Sequence, residues 1–519
     1  MKVTLTYLLL IAAYLGYTQN QEISINWERA YGGTQDEQVN SVIPTYDGGF
    51  IFVGHTESHN GDIQSGNYQS LDYWVVKINE EGDIEWEKTY GGTGDDYGFS
   101  IMQLQDSSYL VGGHTTSNDG DVKSTNHGGM DIWLIKIDIS GNLIWEKTIG
   151  GTANDYLDAL EIAIDNGYIV AGVTNSSDGD IQSGSIGSGD GWVIKIDTSG
   201  NIEWEKTYGG TNKDDLRSLC RISDYGYMLA GSYRYKVGIN NYFNVQVMRI
   251  DKTGKVEWTK TFGGSNRDYA FQIKSLVNDE YIVGGHTLSH DGDVQDGNNG
   301  SYDVWLIKID GQGRLLWEKT FGGSKEENLL FSMDVDNNNN ILVGSSTYSD
   351  DYDVQSGNHG DCDFWVLSVN DKGSLNWEKT FGGSAMDYTY CIKSLSESEF
   401  MVGGITLSND GDIKSGNHGE KDIWIVNVSV GSPTNISHLN ALDENFTVYP
   451  NPADNYIRIT SDSRLDSYEL RICDLTGKLI LEKQLTGEST LNIEHLEPGV
   501  YLYQVITSEN QITGKIIKQ

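Results

Sequence analysis

All thirteen tryptophans of this chain fall on two repeating positions. Trp27, Trp86, Trp145, Trp204, Trp258, Trp317 and Trp377 open a phrase of the type Trp-Glu-Lys-Thr-Tyr-Gly-Gly-Thr, and the steps between them are 59, 59, 59, 54, 59 and 60 residues. Trp74, Trp133, Trp192, Trp305, Trp365 and Trp424 each stand two residues after an Asp. A near-constant period of this length marks a solenoid, an array or a propeller. Most of the chain is therefore one unit repeated seven times, and function has to lie where the units differ.

The unit from Gly98 to Thr152 reads as four short β-strands. Tight polar turns join the first to the second and the third to the fourth, and a long loop joins the second to the third. Short β-rich runs punctuated by Gly, Asn and Asp are strand signals, and no helical period is sustained. Four strands per unit is a propeller blade. The last unit ends after its third strand, near Val428, while Ile23–Tyr31 at the other end is a fourth strand without a unit. The expectation is an all-β chain: a seven-bladed β-propeller closed by that N-terminal strand, so that no sheet edge stays open at the seam. The tryptophans are expected to pack between neighbouring blades.

The glycine pairs Gly112-Gly113, Gly284-Gly285 and Gly403-Gly404, with a Trp in each fourth strand, resemble a kelch-type blade. That resemblance implies a binding propeller or the scaffold of a copper oxidase. Asp138, Gly141 and Trp145 are similar to the tryptophan-docking motif of quinoprotein dehydrogenases, one residue shorter and without its Thr. As a whole the repeats resemble the secreted seven-bladed repeat proteins of Bacteroidetes bacteria, which supports the architecture and leaves the activity open.

The balance of 36 basic against 75 acidic residues, net −39, argues against nucleic acid and anionic membranes. It suits an extracellular protein or one that holds cations. Residues 1–20 read as a signal peptide, with Lys2 ahead of the apolar run around Leu8–Ala13 and a cut near Tyr17–Gln21. Cys220, Cys362, Cys391 and Cys473 form no close pair and read as unpaired. The domain plan is signal peptide 1–20, propeller 21–430, linker 431–445 and a small Ig-like β-sandwich 446–519.

That tail carries Tyr449-Pro450-Asn451-Pro452, then Asp474, Gly477 and Lys478, then Leu496, Pro498, Gly499 and Tyr501, then Gly514, Lys515 and Lys518. It resembles the type A C-terminal sorting domain of the type IX secretion system. The resemblance implies a partner in that machinery. It also implies a route through the periplasm and a destination outside the cell or on the outer-membrane surface.

Candidate site residues lie in the long loops. Their acids come as Asp119, Asp121 and Asp131; Asp178, Asp180 and Asp190; Asp291, Asp293 and Asp303; Asp351, Asp353 and Asp363; and Asp410, Asp412 and Asp422. Carboxylates so spaced can hold calcium, or can shape turns by side-chain-to-backbone bonds; no EF-hand spacing or closing Glu is present. A second series, Glu37, Asp96, Asp155, Asp214, Asp268, Glu327 and Asp387, should ring one mouth of the central channel. It either forms a cation mouth or caps its own turns.

Unit four breaks the pattern: Gln246 replaces the Trp, Asn244 the Asp, and its loop is basic and aromatic. Arg234, Tyr235, Lys236, Tyr242 and Phe243 are the candidate ligand-binding residues, because Arg and aromatic side chains concentrate binding energy. His55, His114 and His286 share a strand-end position and read as packing residues. No motif for nucleophilic or metalloprotease chemistry occurs, so the reading leans away from an enzyme. The expected function is an exported or cell-surface binding or structural module with an unidentified glycan or protein ligand. The alternative is a secreted propeller enzyme acting on glycans or using a quinone cofactor.

Overall fold

The computed structural model describes residues 21–66, 70–185, 187, 189–223, 226–237, 240–431 and, beyond these, 446–449, 453, 455–461, 468–473, 479–487, 489–496, 498–506 and 511–518. The segment read as a signal peptide and residues 432–445 of the linker lie outside the described residues. The chain divides into two compact units, one ending at Gly431 and one beginning at Ser432.

Up to Gly431 the described residues form seven four-stranded sheets. The second sheet is typical: Asp96–Gln103, Tyr109–Thr115, Asp131–Ile137 and Leu143–Ile149 pair in chain order as an antiparallel meander. Its middle strands are buried along nearly their whole length, whereas Leu143 and Ile144 of the outer strand are exposed. The first strand of each sheet touches the first strand of the next, from Glu37–Pro44 round to Asp387–Ser396, which touches Glu37–Pro44 in turn. A cycle of blade-like sheets around an inner ring of strands is a β-propeller.

The seventh sheet borrows its outer strand. Ile23–Tyr31 pairs antiparallel with Asp422–Val430, with Ile23 opposite Val430 and Tyr31 opposite Ile423. Gly431 N–H donates to Glu22 O at 2.7 Å and extends the ladder.

The two tryptophan series have separate tasks. Those of the third strands (Trp74, Trp133, Trp192, Trp305, Trp365 and Trp424) are at most 1% exposed. Each donates its indole N–H to a Glu of the outer strand: Trp133 to Glu146 at 3.0 Å, Trp192 to Glu205 at 2.9 Å, Trp424 to Glu28 at 2.8 Å. The same Glu146 accepts the backbone N–H and the hydroxyl of Ser124, both at 2.7 Å, and so anchors the long loop. Six of the seven outer-strand tryptophans lie against the 3–4 turn of the next sheet; Trp377, which faces the seventh sheet, stacks on Phe400. Gly141 of that turn has φ 76° and faces Trp86 so closely that a β-carbon would collide with the ring. A left-handed glycine is what the turn and this approach both require.

Trp, Glu and loop form one unit, so they should be lost together, and in the fourth sheet they are. Gln246 stands for the Trp, Thr259 for the Glu, and the loop is gone. Replacing Glu146 with Ala leaves the buried Trp133 N–H without its acceptor and frees Ser124, so it should lower stability by about 1–3 kcal/mol. A shift in thermal melting measures this; a melt within error of the parent contradicts the anchoring role.

In the second unit, Phe446–Tyr449, Tyr456–Ser461 and Ser489–Asn492 form one sheet. Tyr468–Cys473, Leu479–Leu485, Gly499–Ile506 and Gln511–Lys518 form another. Both sheets contribute to one core, with Ile457, Ile459 and Leu491 from the first and Leu470, Ile472, Val505 and Ile516 from the second.

Candidate functional site

The repeated acids are bound to their own turns. In the third sheet, Gly150 N–H donates to Asp180 Oδ2 (3.1 Å), Gly151 N–H to Asp155 Oδ2 (2.8 Å) and Thr152 N–H to Asp178 Oδ1 (2.8 Å). In the fifth, Gly263, Gly264 and Ser265 donate to Asp293, Asp268 and Asp291. In the seventh, Gly382, Gly383 and Ser384 donate to Asp412, Asp387 and Asp410. The Gly-Gly-Thr phrase and the Asp-Gly-Asp phrase are therefore halves of one device, in which three carboxylates satisfy three successive backbone N–H groups. Hydrogen bonds from Thr152 hold Asp178 below the usual carboxylate range, and Ser384 does the same for Asp410.

The three aspartates of one loop do not converge on a point. Asp119 and Asp121 bond to Thr93 and Gly91, behind their own sheet's first strand. Asp131 instead accepts from His127 through Oδ2 and points Oδ1 across the sheet boundary toward Gly150, beside Asp155. Asp190, Asp303, Asp363 and Asp422 face the next sheet in the same way, near Gly209, Gly322, Gly382 and Gly32. Among the described residues no group of three or more His, Cys, Asp or Glu is arranged to hold a metal ion. The triplets of the second, third, fifth, sixth and seventh units are thus divided between neighbouring turns. Asp351 and Asp353 follow the same rule, taking Ser324 N–H and Gly322 N–H.

Most boundaries nevertheless bury two carboxylates side by side; between the fourth and fifth sheets Asn244 takes the place of one. Asp131 faces Asp155, Asp303 faces Glu327, Asp363 faces Asp387 and Asp422 faces Glu37; all are at most 1% exposed. Burial, opposed by their own hydrogen bonds, pushes Asp96, Asp131 and Asp387 each up to about 6. It raises the adjacent Asp303 and Glu327 as well. The second acidic series is therefore capped within its turns, each acid accepting the backbone N–H of the glycine four residues before it.

His55, His114 and His286 are buried among aromatic rings: His55 lies 5.1 Å and His114 5.3 Å from Tyr97, and His286 5.7 Å from Phe271. Burial lowers them to about 4, 3 and 3, which keeps them neutral near pH 7. Cys220, Cys362 and Cys391 are buried free thiols.

The symmetry breaks at the fourth sheet. Where the other sheets have middle strands of seven to nine residues and a loop, Tyr227–Val237 and Asn240–Ile250 run on as a hairpin of two eleven-residue strands. Arg234 pairs with Phe243, Tyr235 with Tyr242 and Lys236 with Asn241 along it. The side chain of Lys236 lies outside the described residues. Tyr233 and Tyr235 are near-parallel (9°) with ring centres 6.5 Å apart, and Tyr235 stacks on Tyr242 at 5.6 Å. The Arg234 guanidinium lies 6.0 Å from the Phe243 ring. Phe243 meets Tyr269 at 5.2 Å, and Tyr269 meets Tyr302 at 6.1 Å. Tyr233, Arg234, Tyr235, Tyr242 and Phe243 are all half-buried, so part of each ring and of the guanidinium side chain reaches solvent. Four of the candidate ligand-binding residues (Arg234, Tyr235, Tyr242 and Phe243) thus lie together, with Tyr233, Tyr269 and Tyr302 as additions that composition alone did not single out.

Fold and site together define a β-propeller repeat protein with one asymmetric aromatic hairpin. Residues 447–519 match the family described as a secretion system C-terminal sorting domain. The tail is therefore a type IX sorting domain, recognised by that secretion machinery, and it directs the chain to secretion or cell-surface attachment. Among the described residues no helix is long and apolar enough to cross a membrane. A curated relative, Regulatory protein FlaEY of Caulobacter vibrioides, is 26% identical over 224 residues, 40% of this chain and 23% of that protein. The chain thus matches less than a quarter of that relative's length. Among solved structures, the PQQ-bound aldose sugar dehydrogenase of Streptomyces coelicolor aligns with a TM-score of 0.34 and 9% identity, over 79% of this chain and 99% of that one. A puromycin hydrolase aligns with a TM-score of 0.39 and 9% identity, over 73% of this chain and 51% of that one.

Proposed function

We propose that this chain is an exported binding module: a seven-bladed, kelch-like propeller closed by its N-terminal strand, carried through the periplasm by an Ig-like sorting tail. The ligand contacts the hairpin of the fourth blade. One observation carries the reading. Six sheets spend their long loops on the same self-satisfying turn, whereas the fourth gives up the Trp–Glu–Ser unit and displays stacked tyrosines and an arginine instead. A scaffold that needed only stability would gain from a seventh copy of the anchored loop; partly exposed rings and a guanidinium favour contact with a partner.

The test is binding by the intact protein to arrays of immobilised glycans and extracellular proteins. Replacing Tyr235 and Tyr242 together with Ala should weaken the strongest hit by roughly tenfold or more, with melting unchanged. Retention of that hit at parental affinity by the double variant contradicts the reading.

A further inference from the structure

The innermost strand of every sheet carries a β-bulge at the same place. The register skips between Val39 and Ser41, Gly98 and Ser100, Leu157 and Ala159, Leu216 and Ser218, Ala270 and Gln272, Asn328 and Phe331, and Thr389 and Cys391. A bulge re-aims the side chain it releases, and bulges concentrate next to sites. Because the seven inner strands form a closed cycle, the released residues surround the propeller axis. In five sheets they are amide, aliphatic or aromatic. In the third and fourth, which are neighbours, they are Asp158 and Arg217. Position three after the inner acid is charged in those two units alone.

The surroundings of this pair are chemically uneven. Arg217 gives Nε to Asp215 at 3.3 Å, and its guanidinium lies 5.1 Å from the Phe271 ring, with 40% of the side chain exposed. The other guanidinium N–H groups have no acceptor among the described residues. Asp158 makes no hydrogen bond to a described residue, and the charges acting on it are Arg217, Asp215 and Lys213. Two acids and two bases leave no net charge to select an anion or a cation. A carboxylate that only accepts on one inner strand, and a guanidinium that only donates at the matching position of the next, are completed by groups that both donate and accept, which is the property of hydroxyls. Phe271 continues into Tyr269 at 6.4 Å and so into Phe243 of the hairpin, giving an aromatic wall from the rim to the axis.

We propose that Asp158 and Arg217 form a saccharide subsite at the propeller axis. Asp158 accepts from hydroxyls of one sugar ring, Arg217 donates to a further oxygen, and Tyr269 and Phe271 supply the apolar wall. A few polar groups against an aromatic lining is the usual make-up of a small-molecule site. The inference rests on the binding reading above and names its ligand class.

The test is titration calorimetry on the full chain with glucose, galactose, mannose and N-acetylglucosamine, their short oligomers, and free amino acids as the comparison. At least one saccharide should bind. Asp158→Ala and Arg217→Ala should each weaken it by roughly tenfold or more, the loss expected for a hydrogen bond to a charged group. Asp158→Asn and Arg217→Lys, which keep size and fold, should give intermediate losses. The Tyr235/Tyr242 double variant should weaken oligomers more than it weakens the monosaccharide; an equal loss for both places the whole site at the hairpin and overturns the subsite. Absence of saccharide binding, binding of amino acids alone, or saccharide binding that survives all four axis substitutions overturns the subsite. If a protein partner is lost with the hairpin variant and no saccharide binds, the subsite falls and the binding function stands.

Discussion

A chain that begins at Gly33 should lose its single cooperative melting transition or melt at least roughly 10 °C lower than the parent. Removing Ile23–Tyr31 strips the whole antiparallel ladder from Asp422–Val430 and reopens a sheet edge. It also takes away Ala30 and Tyr31, which are 7% and 3% exposed, and each large apolar side chain so lost is worth about 1.5–3 kcal/mol. Glu28 goes with the strand. It accepts from Trp424 at 2.8 Å and from the backbone and hydroxyl of Ser415 at 2.9 and 2.8 Å, so the seventh sheet loses both its indole acceptor and its loop anchor. The single change Glu28→Ala separates the two contributions and should cost about 1–3 kcal/mol. Differential scanning calorimetry decides the matter: a shortened chain that melts as high and as sharply as the parent shows that the seam does not need this strand.

The second large effect is on pH. The boundary acids should contribute to the unfolding free energy a part that falls as pH rises from about 4.5 to 7.5, whereas His55, His114 and His286, lowered to about 4, 3 and 3, contribute a part that rises until pH passes their unfolded value near 6.5. Asp96, Asp131 and Asp387 have folded-state values raised to about 6 by burial, and Asp303 and Glu327 are raised too. An acid raised on folding holds more protons in the folded state. Its favourable contribution is complete below the unfolded value near 4 and is lost as pH climbs through the folded value near 6, later for the Asp303–Glu327 pair. A rise of about two units corresponds to about 3 kcal/mol for one such group. Carboxylates held low do not compete in this window: Asp106, bonded by Ser108 and Lys136, lies at about 2 and stays ionised throughout. The control is Asp131→Asn, which places an amide where Oδ1 now faces Asp155. The fifth boundary already has this arrangement, with Asn244 opposite Asp268. Asp131→Asn should raise the melting temperature at pH 7.5, leave it unchanged at pH 4.5, and remove this acid's share of the decline between. A parental slope in this variant would place the effect in general charge repulsion rather than at the boundary.

The same boundary acids mark where the sequence stops being readable. Their spacing shows that Asp131 follows Asp119 and Asp121 closely in the chain, and from that a turn is favoured over a calcium loop without excluding it. The geometry separates them, because Asp131 faces the next sheet's glycine while Asp119 and Asp121 turn back to their own. The sheet-to-sheet twist that brings Gly150 to Asp131 is a property of the ring, and no local pattern encodes it. The matched halves Gly-Gly-Thr and Asp-Gly-Asp were each visible as repeats; what joins them is a set of hydrogen bonds between segments more than twenty residues apart.

What the sequence determined alone is what repeats. The tryptophan period, the four strand-like runs per unit and the turn residues demand one blade-like sheet per unit, because an isolated unit cannot bury its apolar faces. The unpaired strand at each end, Ile23–Tyr31 and Asp422–Val430, likewise foretold their pairing, and the spaced motifs of the tail foretold its sorting role. What only the tertiary structure decided is what sits together around the ring. The composition of the fourth unit's hairpin was legible, but its stacked rings and their continuation through Tyr269 were not. Asp158 and Arg217 are a full repeat apart in the chain and come onto adjacent strands, at matching bulges, only when the inner strands close into a cycle. Local periodicity specifies the blade, because each strand's burial follows from its own residues. The site depends on contacts between blades, and those exist only once the ring has closed.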